Sequence, residues 1–360
     1  MLRYLEIKDM LRTMIESMQP GEKLPSRTSL INKLETTRTT LDKALLELQR
    51  EGLVVAKKGI GTFVTNTLTG SSPEMENWGV IVPSLGESIY TGLIQGIESF
   101  AHNRGINLVM CVSYNNKGVQ EYNISRLMNS IVRGFIIVPI VSNSIEDNYH
   151  TYQKLIDGKI PFVFCNRPVE GVNAPAVVSN DFYGGYIATR HLIERGYRNI
   201  AYIARRRYST SINRFQGYAS ALQECGLPLI PAYVNMDNGE CIDDIYTLCR
   251  QMLTRNPEID AIFCYNDYIA LQVYRCLADM GLRVSEDVGV IGYDNTEDGH
   301  TLVPRLTTVS YRNHEIGQKA AEILWNTIHQ SDWSNDFPYY LFQPRIITNG
   351  SCLGPVHDEA

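Results

Sequence analysis

A chain of 360 residues exceeds the ~100 to 200 residues of a usual domain, so two or three folded units are expected and a small disulfide-stapled scaffold is excluded. Hydrophobic residues make up 44% and charged residues 20%, with 27 Gly and 15 Pro, an ordinary globular balance that excludes wholesale disorder. Net charge is −6, no stretch approaches the ~18 to 20 consecutive apolar residues of a membrane helix, and Met1-Leu2-Arg3-Tyr4-Leu5-Glu6 lacks the basic-then-apolar pattern of a signal peptide, so a soluble cytoplasmic protein is expected.

The charge is unevenly placed. Residues 1–66 carry 11 Lys and Arg against 8 Asp and Glu, a net +3, which leaves −9 for the remainder. A basic head on an acidic body points to a polyanion partner for the head alone. In chain order, Leu5, Ile7, Met10, Leu11, Met14, Ile15 and Met18 recur at the helical period, and Pro20-Gly21 ends that first helix. Ser26 is an N-cap for a short helix carrying Leu30, Ile31 and Leu34, and Thr36 or Thr37 caps a third over 38–51 that buries Leu41, Ala44, Leu45 and Leu48. Strands over 53–56 and 62–65 flank Lys57-Lys58-Gly59-Ile60-Gly61, which completes a winged helix-turn-helix. Recognition helices present short hydroxyls and cations at their N-terminal end, where base edges and phosphates are met. Candidate DNA contacts are therefore Thr37, Arg38, Thr39, Thr40 and Lys43 on the third helix, and Lys57, Lys58 and Gly59 at the wing.

Four separated pieces of this head carry a resemblance: Leu24-Pro25-Ser26, Arg38-Thr39-Thr40, Glu51-Gly52-Leu53, and Gly59-Ile60-Gly61-Thr62-Phe63-Val64. Over 1–66 the chain resembles the GntR family of bacterial transcription regulators, which implies double-stranded operator DNA as partner and adds Arg27 and Thr28 to the candidate contacts. Where the family places a second-helix arginine this chain has Thr28 with Arg27 one place earlier, and Asp42 stands where many members have arginine.

Residues 67–76, small and polar, read as a linker, and a third segment spans 77–360. There, apolar β-type runs at 79–83, 107–113, 134–139, 162–165, 176–179, 199–204, 261–265, 288–293 and 306–310 alternate with helical stretches. This is the pattern of doubly wound α/β sheets, long enough for two lobes, with crossovers expected near 195, 310 and 335. Ligands of such folds bind beyond the carboxyl ends of the strands. Following the strands stand Glu87, Ser88 and Tyr90; Asn166 and Arg167; Asn180 and Asp181; Asn266 and Asp267; Asp294; and Tyr311. Carboxylates, amides, an arginine and aromatic rings are the mixture a sugar requires, since its hydroxyls donate and accept while its C–H faces need flat apolar partners. Asp267, directly before a helix, reads as a cap.

Gly92 to Glu98, Asn166-Arg167, Asn180-Asp181 with Gly184-Gly185, Arg214-Phe215-Gln216-Gly217-Tyr218, Asn266-Asp267 with Ala270, Val290-Ile291-Gly292-Tyr293-Asp294 and Leu306-Thr307-Thr308-Val309 resemble the LacI/GalR regulators and periplasmic sugar-binding proteins over 78–350. The resemblance implies an effector-binding and dimerising body, with sugar contacts at Arg167, Arg214, Asn266 and Asp294 and rings at Tyr90 and Tyr311. Glu87, Asp181 and Tyr183 complete the candidate effector set. A GntR-type head on a LacI-type body resembles the arabinose-repressor group, which implies L-arabinose as effector, a homodimer on DNA, and repression relieved by the sugar.

The residues themselves leave open a different sugar, a phosphorylated sugar, a purine, or the opposite sign of regulation. Arg205-Arg206-Arg207 could serve a phosphate. The scattered cysteines (111, 165, 225, 241, 249, 264, 276, 352) contain no C-x-x-C, and the seven histidines offer no H-x-x-x-H spacing, so reduced thiols, no metal and no cofactor are expected. Asp294-x-Thr296-x-Asp298-Gly299 hints at a calcium loop, yet its twelfth position is Arg305 where a bidentate glutamate is needed. Neither a Gly-x-Ser-x-Gly elbow nor a P-loop occurs, and catalysis is not expected.

Overall fold

In a computed structural model, residues 3–19, 21–50, 53–57, 60–65, 76–130, 132–140, 145–204, 209–236, 244–329 and 337–354 are described. Lys58, Gly59, nearly all of the expected linker, the arginine run at 205–207, Cys241 and the expected crossover near 335 lie outside them. The chain divides into Met1–Glu76 and Asn77–Ala360.

The first unit contains α1 (Arg3–Glu16), α2 (Arg27–Lys33), α3 (Arg38–Arg50), β1 (Val54–Lys57) and β2 (Gly61–Val64). Ile7, Leu11 and Ile15, four residues apart on α1, close over Leu30 of α2 and Leu41, Ala44, Leu45 and Leu48 of α3. Ser26 Oγ accepts from the Ser29 amide at 3.2 Å and Thr37 Oγ1 from the Thr40 amide at 3.3 Å, so both short helices start where a hydroxyl satisfies an orphan N–H. β1 and β2 pair antiparallel from Val54↔Val64 to Lys57↔Gly61.

The second unit holds two six-stranded sheets. The first contains β3 (Asn77–Val82), β4 (Asn107–Val112), β5 (Val132–Ile137), β6 (Phe162–Cys165), β7 (Ala176–Ser179) and β13 (Tyr339–Phe342), all parallel in the order β13-β7-β6-β5-β3-β4. The second contains β8 (Ile200–Ile203), β9 (Val234–Asn235), β10 (Ala261–Cys264), β11 (Gly289–Asp294), β12 (Thr307–Ser310) and β14 (Arg345–Ile347), in the order β14-β12-β11-β10-β8-β9 with only β14 antiparallel. Helices α4 (Ser88–His102), α5 (Lys117–Met128), α6 (Ile145–Asp157) and α12 (Asn313–His329) accompany the first sheet. The second carries α7 (Asp181–Glu194), α8 (Ser209–Glu224), α9 (Ile245–Arg255), α10 (Asp267–Asp279) and α11 (Glu297–Thr301). Strands such as β6, β7 and β8 are buried along their whole length, which is why they read as unbroken apolar runs. Among the described residues no helix is long and apolar enough to cross a membrane.

Three elements escape the periodicity. β9 has two residues, β14 has three, and β13 is an edge strand whose Tyr339, Tyr340 and Leu341 are exposed. Three crossovers join the lobes among the described residues. The first falls at Asn180, not near 195, because α7 packs on α8 of the second lobe; the second falls after β12, near 311; the third follows β13 at 343–344. Two crossings are tied together: the Asn180 amide donates to the Phe342 carbonyl at 2.8 Å, and Asn180 Nδ2 to Gln343 Oε1 at 3.2 Å.

Each lobe is clamped by a helix pair in backbone contact. A Cβ on Gly96 of α4 would lie 2.0 Å from the His314 carbonyl oxygen, and one on Gly317 of α12 2.1 Å from that of Leu93. Gly185 of α7 and Gly217 of α8 face the Arg214 and Phe182 carbonyls in the same way, each at 2.0 Å. We expect Gly317→Ala or Gly185→Ala to separate the helices and cost about 3 kcal/mol, the scale of overpacking a filled core. Gly118→Ala, whose Cβ meets only the Asn116 side chain at 3.4 Å, should stay within ~1 kcal/mol of the parent. Calorimetric unfolding of the three variants checks this, and equal midpoints would disprove the clamp.

Candidate functional site

The strand ends of the two lobes face one cleft of about 380 Å³, within the ~300 to 1,000 Å³ of small-molecule sites. From the first lobe Gly86, Glu87, Ile89 and Tyr90 follow β3, Asn115 follows β4, and Asn166 and Arg167 follow β6. The second lobe supplies Arg214 from α8, Tyr265, Asn266, Tyr268 and Ile269 after β10, and Asp294, Thr296 and Asp298 at and after the end of β11.

Arg214 is the organising group, 1% exposed. Its Nε donates to Asp181 Oδ1 at 2.7 Å and its Nη1 to the Tyr265 carbonyl at 2.6 Å, while Nη2 stands 3.6 Å from Asp294 Oδ1. The guanidinium lies over the Tyr293 ring at 3.5 Å from the centroid and the Tyr265 ring at 4.5 Å, close enough for cation–π attraction. Burial alone would favour its losing the proton; Asp181, then Tyr265, Tyr293 and Asp294, reverse this and hold it charged. The glycine contact between α7 and α8 brings the Arg214 backbone against Gly185, four residues along α7 from Asp181.

One guanidinium faces two buried carboxyls. Burial pushes both Asp181 and Asp294 above the usual carboxylate range, against the pull of Arg214. Asp294 Oδ1 is buried and accepts no hydrogen bond from the described residues, and Asp294 sits at φ +105°, a conformation a non-glycine residue holds only at a cost. A bare carboxylate oxygen, strained into position beside an arginine at the floor of a cleft, is built to receive a donor. Three carboxyls, Glu87, Asp294 and Asp298, line the cleft against two guanidiniums, Arg167 and Arg214. Among the described residues no group of three or more His, Cys, Asp or Glu could hold a metal ion.

The structure gathers Glu87, Tyr90, Arg167, Arg214, Asn266 and Asp294 into the lining and leaves three expected contacts outside it. Asp181 stands behind Arg214. Tyr311 is 2% exposed, with its hydroxyl 2.7 Å from Asn166 Oδ1 and 3.1 Å from the Asn166 carbonyl, so it props Asn166, itself at φ +71°. Tyr183 is 41% exposed with its ring beside Tyr186, because its place on α7 turns it away from the cleft. Asn266, not Asp267, caps α10, accepting from the Ile269 amide at 3.0 Å. Asp267 instead accepts from Thr308 Oγ1 at 2.6 Å and the Thr296 amide at 2.7 Å, and burial raises it to about 6. Asn115, Tyr268, Thr296 and Asp298 were missed; Asn115 lies at a strand end and answers to the same rule that found Arg167.

In the first unit, Arg27, Thr28, Thr37, Arg38, Thr39 and Lys43 are exposed on α2, α3 and the turn between them, and Thr40 is half-buried. Thr37 and Thr40 hydroxyls are 2.8 Å apart, Lys43 Nζ is 4.0 Å from the Tyr4 ring centroid, and Lys57 Nζ is 5.1 Å from that of Phe63. Arg27 and Arg38 share one partner, Asp42.

Replacing Arg214 by alanine would strand two carboxyls in the interior, and a loss of about 3 to 5 kcal/mol is expected. Asp294→Asn should raise the unfolding midpoint at neutral pH. A carboxyl whose folded pKa exceeds its unfolded value costs the fold stability as pH rises above that unfolded value, ~3.9, so the gain should fade below about pH 4. Thermal unfolding from about pH 3 to 8 reads both; an Asp294→Asn midpoint below the parent at neutral pH would contradict the charge balance.

Two protein families match the chain: the bacterial regulatory proteins of the gntR family over residues 3–64, and the periplasmic binding proteins and sugar binding domain of the LacI family over 76–338. The arabinose metabolism transcriptional repressor of Geobacillus stearothermophilus is 27% identical over 356 residues, 97% of each chain. The HTH-type transcriptional repressor PurR of Vibrio atlanticus is 30% identical over 302 residues, 83% of this chain and 85% of its own. Among solved structures, a LacI family transcriptional regulator from Enterococcus faecium with bound ribose superposes with a TM-score of 0.66 at 25% identity, over 78% of this chain and 100% of that one.

Proposed function

The chain belongs to the family of periplasmic binding proteins and LacI-type sugar-binding domains, with a gntR-type head, and from that premise we propose a homodimeric repressor released from operator DNA by a free monosaccharide, L-arabinose. The matched families are of regulatory and of sugar-binding proteins, not of enzymes, and the relatives are named transcriptional repressors. The bare Asp294 Oδ1 carries the reading of the effector. A sugar hydroxyl can donate to it, while Tyr90, Tyr265 and Tyr268 offer flat faces to C–H groups. Charge argues for a neutral ligand over a phosphorylated one: the lining carboxyls outnumber the guanidiniums, and Arg214 has already committed Nε and Nη1 within the protein. L-Arabinose itself is supported by the likeness to an arabinose repressor along nearly the whole chain.

Since both lobes line the cleft, a bound sugar favours whichever arrangement lets both reach it. Release requires tighter binding to the DNA-incompetent state, by a typical coupling of ~1 to 3 kcal/mol. A homodimer matches the two-fold symmetry of palindromic operators.

Isothermal titration with L-arabinose, D-xylose, D-ribose, D-galactose and a pentose phosphate tests the effector. L-Arabinose should bind, and Asp294→Asn should weaken it about 10- to 100-fold, the loss of a charge-assisted hydrogen bond. Because a carboxylate accepts more strongly than the acid and burial raises the pKa of this carboxyl, affinity should fall as pH is lowered and the dependence should shrink in Asp294→Asn. Heat from the phosphate alone would replace the neutral-sugar reading, and sugar that tightens a DNA complex in a gel shift would reverse the sign of regulation.

A further inference from the structure

We propose that Asp42 is a specificity-determining residue of the DNA-reading face: it orients Arg27 and Arg38 and accepts a hydrogen bond from the exocyclic amine of a cytosine in the major groove. The inference rests on the reading of the first unit as an operator-binding head. Asp42 lies on α3, one turn after the helix starts at Arg38. Its Oδ1 is 2.8 Å from Arg27 Nε on α2 and its Oδ2 is 3.8 Å from Arg38 Nε. A single carboxylate thus engages the two arginines closest to the turn between the helices.

Stability does not explain it. The Asp42 side chain is 44% exposed, and those of Arg27 and Arg38 are 48% and 80% exposed, so the ion pairs are screened by water and contribute little to folding. The head is held instead by the apolar face of α3, in which Asp42 has no part. A carboxylate at the front of a surface that must approach phosphates opposes every DNA sequence alike. It is tolerable where a base donor meets it, and in the major groove the amine of cytosine is the partner a carboxylate accepts from. Each arginine engaged through Nε keeps its two Nη groups, the pair that grips O6 and N7 of guanine. Asp42 therefore lowers affinity for DNA at large and leaves three side chains set for bases.

The test is selection of binding sites from random-sequence DNA by the full-length chain, followed by affinities on selected and scrambled duplexes across a salt series. The parent should select a site with a required cytosine. Asp42→Asn should turn that position towards adenine, the base an amide pairs with, and Asp42→Glu should keep cytosine. Asp42→Ala should bind scrambled DNA several-fold tighter, steepen the salt dependence by about one ion as the arginines turn to phosphates, and lower the selected-to-scrambled ratio by about tenfold or more. All three should unfold at the parent temperature. One unchanged selected site with one unchanged salt slope across the variants would overturn the proposal. Failure of the parent to select any sequence would overturn the operator-binding reading itself, before any variant is compared.

Discussion

The arrangement of the cleft depends on a buried cation with more anionic partners than it can neutralise. A guanidinium taken out of water is tolerable only if charges and carbonyls replace the lost hydration, and Arg214 receives Asp181, the Tyr265 carbonyl and two aromatic faces. To bring these within reach, α8 must lie against α7 at backbone distance, which the facing glycines 185 and 217 permit. Asp294 comes last, at the end of β11, with one oxygen that accepts no hydrogen bond from the described residues. The second lobe is thus complete as a folded object and incomplete as a set of hydrogen bonds. That incompleteness is what a ligand can relieve, and the strained φ of Asp294 is the kind of backbone conformation that persists at functional sites.

The first lobe contributes by position. Arg167 and Asn166 stand at the end of β6, and the Tyr311 hydroxyl, on the segment crossing back from the second lobe, holds Asn166. A connecting segment therefore touches the lining directly. The other crossings are tied by Asn180 to Phe342 and Gln343, close to the start of α7 and hence to Asp181. Any change in the angle between lobes must pass through the residues that hold Arg214 on one side and Asn166 on the other, so ligand occupancy and lobe geometry share the same few side chains.

Most of this architecture could be read from the sequence because buried parallel strands announce themselves. β6, β10 and β11 are fully buried, their apolar runs have sharp ends, and reading the residues at those ends found Arg167, Asn266 and Asp294. The same logic fails for β13, whose exposed Tyr339, Tyr340 and Leu341 form a strand only because β7 offers a free edge. It fails again for Tyr183 and Asp181, which share a helix but not a direction: two residues, about half a turn of α7, separate solvent from the arginine. The glycines quoted for the family likeness had two roles that spacing cannot separate. Gly184, Gly185 and Gly217 mark the site in sequence, yet in the structure they serve close packing, against Tyr293, Arg214 and Phe182.

The head poses the opposite electrostatic problem. A net charge of only +3 over 1–66 gives weak long-range attraction to a polyanion, and the −9 of the remaining chain works against it. Non-specific binding scales with the number of phosphates neutralised, so a head of this charge gains little from DNA as such. Its selectivity has to come from contacts made only on the right sequence. An acidic side chain among the exposed cations of α2 and α3 presses in the same direction: it subtracts from attraction common to all duplexes and leaves differences between bases as the larger share of what remains. In the body, an excess of buried carboxyl over guanidinium leaves one oxygen waiting for a hydroxyl; in the head, a carboxylate shared by two arginines restrains what they would otherwise bind indiscriminately. In both units an acid sets the terms on which arginine is used.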